Sequence, residues 1–153
     1  MNNNSHILPV ITLHQPWATW VIRGWKTIET RTHSRFKCLE GRRILIHAGQ
    51  ANSRFGLDNP YLTKEQIEFN PSEIVNGFIL GSAFVSQFKL LNSKHSKCAL
   101  IECESIRYGL ILENVDRWET PIAEKGGQGI WYYDTLLMHK VPKPKNNNQP
   151  KLF

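Results

Sequence analysis

Apolar residues come in short stretches whose period changes along the chain, and those changes mark out the elements. Val10 to Leu13 ("VITL") is a β-branched run that predicts a short strand. Pro16 then stands where a helix favours its first residue, and Gly24 where a helix commonly stops. Between them Trp17, Trp20 and Val21 fall on one face at helical spacing. A helix of about two turns cannot persist without packing. "KTIETR" returns to strand alternation, with Thr27, Glu29 and Arg31 on one side and Lys26, Ile28 and Thr30 on the other. "RRILIHAG" is a second clear strand, with Ile44, Ile46 and Ala48 inward and Arg43, Leu45 and His47 on the opposite side. After a polar connection, Thr63 and Gln66 have capping-box spacing and predict a helix through about Phe69. A second short helix is expected from Pro71 to before Gly77. "GFILGSAFVSQFKLL" and "CALIECESI" read as long β-rich runs, and "YGLILENV" and "GGQGIWYYD" as the remaining strands.

Several short strands with two or three short helices predict an α+β fold built as a small barrel. A length of 153 residues suits one core. The expected limits are a disordered N-terminus over 1–6, a domain over 7–140 and a disordered basic tail over 141–153. That tail is Pro, Lys and Asn with little to bury. Apolar runs are too short for a membrane helix, and "MNNNSH" lacks the basic start and apolar middle of a signal peptide, so a cytoplasmic protein with no membrane partner is expected. Cys38, Cys98 and Cys103 have no CxxC spacing and read as reduced thiols. No metal and no cofactor is expected.

Charge alters this picture because it is uneven. The net charge is +6, and from Ile11 to Arg54 eight Lys and Arg face only two acids, Glu29 and Glu40. From Leu62 to Lys140 eight basic residues face ten acidic ones. A basic first third on a mildly acidic remainder predicts one positive face and an anionic partner.

The candidate chemistry lies in that basic third. Gly24, Lys26, Glu29 and Arg31 form G-x-K-x-x-E-x-R, beside three of the five tryptophans, Trp17, Trp20 and Trp25. Glu29 and Arg31 are two apart on a strand, so Arg31 can hold the carboxylate and fix its direction. Lys26 falls on the other face if the strand begins there, and joins them only if the turn at Gly24 and Trp25 leaves it in the loop. Such a group can bind a phosphate and accept from a base amino group. On spacing alone, a barrel-edge salt bridge is the better explanation. Trp17 and Trp20 at i, i+3 suit a buried helix face, whereas Trp25 can reach a cleft rim. Trp131 belongs to the last strand, with Gln128 three residues earlier. "EKGGQGIW" lacks the Lys-Ser/Thr ending of a P-loop and reads as a turn, although Gln128 can lend an amide to a cleft.

The order strand, Gln15-Pro16-Trp17, helix, Gly24, Lys26, Glu29, Arg31 closely resembles the opening motif of the ASCH (activating signal cointegrator homology) domain, a member of the PUA-like superfamily. "GRRILIHAG", "GSAFVSQF" and "YGLILENV…PIAEKGGQGIWYY" are similar to later strands of that family, so the resemblance spans about Ile7 to Tyr133. It implies a PUA-like small β-barrel of about five or six strands flanked by short helices, with a cleft lined by the motif. It also implies RNA or a modified nucleotide as partner, with DNA as a further possibility. The ligand-binding candidates are Gln15, Trp17, Trp25, Lys26, Glu29, Arg31, Gln128 and Trp131. The alternative is a small hydrolase, a ribonuclease or modified-nucleoside hydrolase, using the same cleft with Lys26 and Glu29 as catalytic candidates. One branch of the superfamily, an amidohydrolase on N4-acetylcytidine, carries Lys-Thr-x-Thr-x-Arg with the second Thr as nucleophile. Here Glu29 holds that position, and a carboxylate cannot replace a hydroxyl in that step.

Overall fold

The computed structural model describes residues 6–53 and 59–140, so the expected tail and nearly all of the expected N-terminal segment lie outside the described residues. The β-branched run at the start opens β1 (Ile7–Gln15), and α1 (Trp17–Ile22) and β2 (Ile28–Arg31) follow. Strands β3 (Arg43–Asn52), β4 (Phe78–Leu90), β5 (Tyr108–Ala123) and β6 (Ile130–Asp134) complete one six-stranded sheet in the order β2-β5-β4-β3-β1-β6. The pair β1·β3 is parallel and the other pairs are antiparallel. Parallel neighbours need a long crossover. Here that crossover carries α1, β2 and a 3-10 turn (Arg35–Leu39).

Alternation on β3 is as expected, but both of its faces are covered. Ile44 and Ile46 enter the main core with Ile11, Leu13, Val21 and Leu80, while Leu45 packs on the other face with Val10, Ile79 and Tyr133. Helix α1 seals the main core with Ala18, Val21 and Ile22. Register slips in β4 and β5 bend the sheet, and a Cβ on Gly81 would stand 2.1 Å from the Asp116 carbonyl oxygen. Only a glycine allows that strand approach.

The expected closed barrel is corrected in one respect: the sheet is not closed. Strand β2 is four residues long and pairs with β5, β6 is five residues long and pairs with β1, and the two edges do not pair with each other. They nevertheless face one another, because Arg31 from β2 and Ile130 from β6 line the same groove. The sheet therefore curls into an open ring with a seam between its edges.

"CALIEC" is the other correction. It was expected as a strand, yet Ser96–Ala99 is a short helix, α3, ended by Leu100 in the left-handed region at φ 52°. The carbonyls at its end are drawn away from any ladder, since Cys98 accepts from the Thr27 amide (3.0 Å), Ala99 from Lys26 Nζ and Leu100 from Asn59 Nδ2. The capping box of Thr63 and Gln66 forms, but its helix, α2, stops at Ile67 (Lys64–Ile67). The segment after Pro71 is a 3-10 turn, Pro71–Glu73.

Candidate functional site

The site begins with how α1 ends. Gly24, at φ +75°, lets the chain reverse, and the Gly24 amide donates to the Val21 carbonyl while the Trp25 amide donates to that of Trp20. This is a Schellman ending, and its usual apolar contact is present as the Trp20 and Trp25 rings, 4.9 Å between centroids. Lys26 donates its amide to Trp20 as well, so it is held in the turn, two residues before β2 starts. That placement decides the condition set by the sequence, and Lys26 joins the face of Glu29 and Arg31.

The three side chains meet. Lys26 Nζ lies 3.8 Å from Glu29 Oε2, and an Arg31 terminal nitrogen lies 3.7 Å from Glu29 Oε1. Lys26 is 3% exposed and Glu29 6%. Lys26 donates to the Ala99 carbonyl and stands 5.1 Å from the centre of the Trp17 ring. Burial pushes the lysine pKa below its ordinary value, and the Glu29 charge opposes that shift. Arg31 rests 4.6 Å over the ring of Phe36. Two buried polar atoms here have no hydrogen-bond partner, Glu29 Oε2 and Arg31 Nε. Buried polar groups without partners are rare in native proteins and cost about 1–3 kcal/mol each.

These groups wall a cavity of about 210 Å³. One wall is Thr12 and His14 of β1 with Trp17 of α1, the other is Lys26, Glu29, Thr30 and Arg31, and Ile101 closes an end. At roughly 30 Å³ per water the cavity would take about seven waters, the scale of one planar ring rather than a large ligand. Its chemistry is a carboxylate between two cations, with the Trp17 ring beside the Lys26 ammonium.

The remaining predicted residues are placed elsewhere. Gln15 is buried, accepts from the amide and hydroxyl of Thr19 (3.1 and 3.0 Å) and donates to the Val75 carbonyl (2.7 Å), so it fastens the start of α1. Trp25 packs with Trp20 and Phe69 and does not line this cavity. Gln128 lines the neighbouring groove with Arg31. Trp131 stands behind the wall, its Nε1 donating to Thr12 Oγ1 at 3.0 Å. Thr12, Leu13, His14, Thr30 and Ile101 also line the cavity, and the sequence does not single them out as site residues. His14 and Thr12 lie within or beside the recognised motif, but nothing in spacing marks Ile101, whose segment was read as a strand.

Behind Thr12 lies a buried imidazole. His47 Nε2 is 2.8 Å from the Glu124 carbonyl oxygen, which can only accept, so Nε2 carries the proton and Nδ1 accepts from the Thr12 hydroxyl at 3.2 Å. Burial lowers the His47 pKa, against the opposing pull of Glu124. The unfolded chain therefore binds more protons between this lowered value and about 6.5, so the contribution to stability is complete above about pH 6.5 and is lost as pH falls. The melting temperature should drop between about pH 7.5 and 5.5, and drop less in His47→Gln. An equal drop in both proteins would remove His47 from the cause.

A family model for the ASCH domain matches residues 11–124, which holds every motif residue above. The chain belongs to the ASCH domain family. Among solved structures, ASCH from Zymomonas mobilis is similar with a TM-score of 0.56 at 15% identity, covering 87% of this chain and 92% of that one. A tyrosine-to-phenylalanine variant of that protein gives 0.55 at 14% identity, covering 87% and 96%. At such identity these structures speak for the ASCH fold alone. No protein of curated function matches the chain. Among the described residues of this ASCH domain, no helix is long and apolar enough to cross a membrane.

Proposed function

We propose that this ASCH domain binds a nucleobase, of RNA or of a free nucleotide, in the cavity between β1 and β2. The observation that carries this reading is Glu29 Oε2, buried, 3.8 Å from the Lys26 ammonium and without a hydrogen-bond donor. A base with an exocyclic amino group supplies that donor, as carboxylates take the amino group of cytosine. The Lys26 ammonium next to the carboxylate can donate to the ring acceptor beside the amino group. Trp17 offers a face for the ring, and base stacking on an aromatic side chain contributes about 1–3 kcal/mol. The uneven positive charge of the first third supports an anionic chain as the carrier of the base.

Tryptophan fluorescence titration with cytidine, adenosine and uridine tests the reading. Cytidine and adenosine, which present an amino donor beside a ring acceptor, should bind about tenfold more tightly than uridine, which presents a ring N–H between two carbonyls instead. Equal affinity for all three, or no binding by any of them at low salt, would sink it.

A further inference from the structure

We infer that the groove on the far side of Arg31 is a phosphate subsite, so that the ligand is a nucleotide or a strand rather than a bare nucleoside. This rests on the base-binding reading for its neighbour, but the groove has its own observations. It encloses about 450 Å³ and is lined by Arg31, His33, Arg35, Phe36, Gln128 and Ile130 among others. Among the described residues, no carboxylate lines it.

The donors are arranged by the local chain. The Arg31 guanidinium is fixed between the Glu29 carboxylate at 3.7 Å and the Phe36 ring at 4.6 Å, yet its Nε is buried with no partner. Five N–H groups sit on a guanidinium, so capacity is left for an anion. His33 Nδ1 accepts the amide of Arg35 at 3.3 Å, which places the proton of the neutral ring on Nε2 as a donor. The His33 ring is held edge-on to Phe36, 5.3 Å between centroids. Arg35 opens the 3-10 turn that follows, and Gln128 reaches from the opposite edge of the sheet. Two arginines, a histidine and a glutamine therefore line one hollow, and the nearest acid, Glu29, is already paired with Arg31 on the other side. Arginine forks match phosphate oxygens in pairs.

Arg31 is common to both hollows, which sets the order of the ligand. A base lodged against Glu29 and Trp17 has its sugar-linked phosphate directed past Arg31 into the groove. A terminal monoester and the diester of a strand carry the same oxygens, and the experiment separates them.

Two readouts on the full chain decide this. Inorganic phosphate should produce a saturable shift of the His33 imidazole C–H resonance, weakened about tenfold in Arg35→Ala with Gln128→Ala, both exposed positions. Cytidine monophosphate should bind about tenfold more tightly than cytidine, and the double variant should lose most of that gain while binding cytidine within about twofold. A gain shared by a cytidylyl dinucleotide assigns the groove to a strand diester, and a gain confined to the monophosphate assigns it to a terminal phosphate. Phosphate binding with no cytidine binding would keep the subsite and overturn the base reading. The subsite is overturned if phosphate gives no saturable shift and the monophosphate binds no better than the nucleoside.

Discussion

Replacing Glu29 by glutamine should weaken binding of an amino-bearing base by about ten- to a hundredfold. A hydrogen bond to a charged group contributes about 1.5–3 kcal/mol, and about 1.4 kcal/mol is a factor of ten. Glutamine keeps the shape and one acceptor, but it removes the charge and places an amide N–H₂ where the ligand would donate. Lys26 and Arg31 lose their common counter-charge in the same change. Removing one partner of a buried pair can cost about 3–5 kcal/mol of stability. Here the cost is softened, because burial already lowers the Lys26 pKa and the amine can shed its proton. Affinity by titration and the melting curve should be measured together. A folded Glu29→Gln protein that binds cytidine as the parent does would remove Glu29 from the site.

The second large effect falls on stability and separates two tryptophans of one short helix. Trp20 is 1% exposed and packs against Leu62, Leu100, Trp25 and Phe69. Trp20→Ala should cost about 3–5 kcal/mol. For a domain near this size that lowers the melting temperature by roughly 6–20 °C. Its ring also supplies the apolar contact with Trp25 at the Schellman ending, so its loss loosens the turn that presents the lysine. Trp17 is only partly buried and borders the cavity. Trp17→Ala should therefore melt close to the parent and lose about 1–3 kcal/mol of base stacking instead. If Trp17→Ala destabilises the protein as severely as Trp20→Ala, Trp17 is a core residue and the stacking wall is lost.

Much of this was legible beforehand, for identifiable reasons. Strand alternation at β3, the proline–glycine bracket of α1 and the Thr63–Gln66 capping box are local rules, and local rules survive folding. The position of Lys26 depends on where β2 starts, which spacing does not fix and the Schellman turn at Gly24 does. "CALIEC" failed for the opposite reason. Its apolar residues suit a strand, but its carbonyls are claimed by Thr27, Lys26 and Asn59 from distant parts of the chain. Closure failed likewise, since strand count does not say whether the first and last edges meet. Gln15 is a ligand-contact candidate by its place in the motif, and the structure shows its amide holding Thr19 and Val75, a packing role that spacing does not reveal. Ile101 reaches the cavity because its segment is held by Thr27 and Lys26, and Gln128 meets His33 and Arg35 only through the curl of the sheet.

The unclosed seam has a mechanical consequence. A hoop with a gap bends most easily by widening or narrowing the gap, and both hollows sit along it. A ligand lodged across Arg31, as proposed, would bridge the two free rims, strand β2 and strand β6, which do not pair with each other among the described residues. Binding would then act as a rivet across the ring, and stiffness would rise with occupancy.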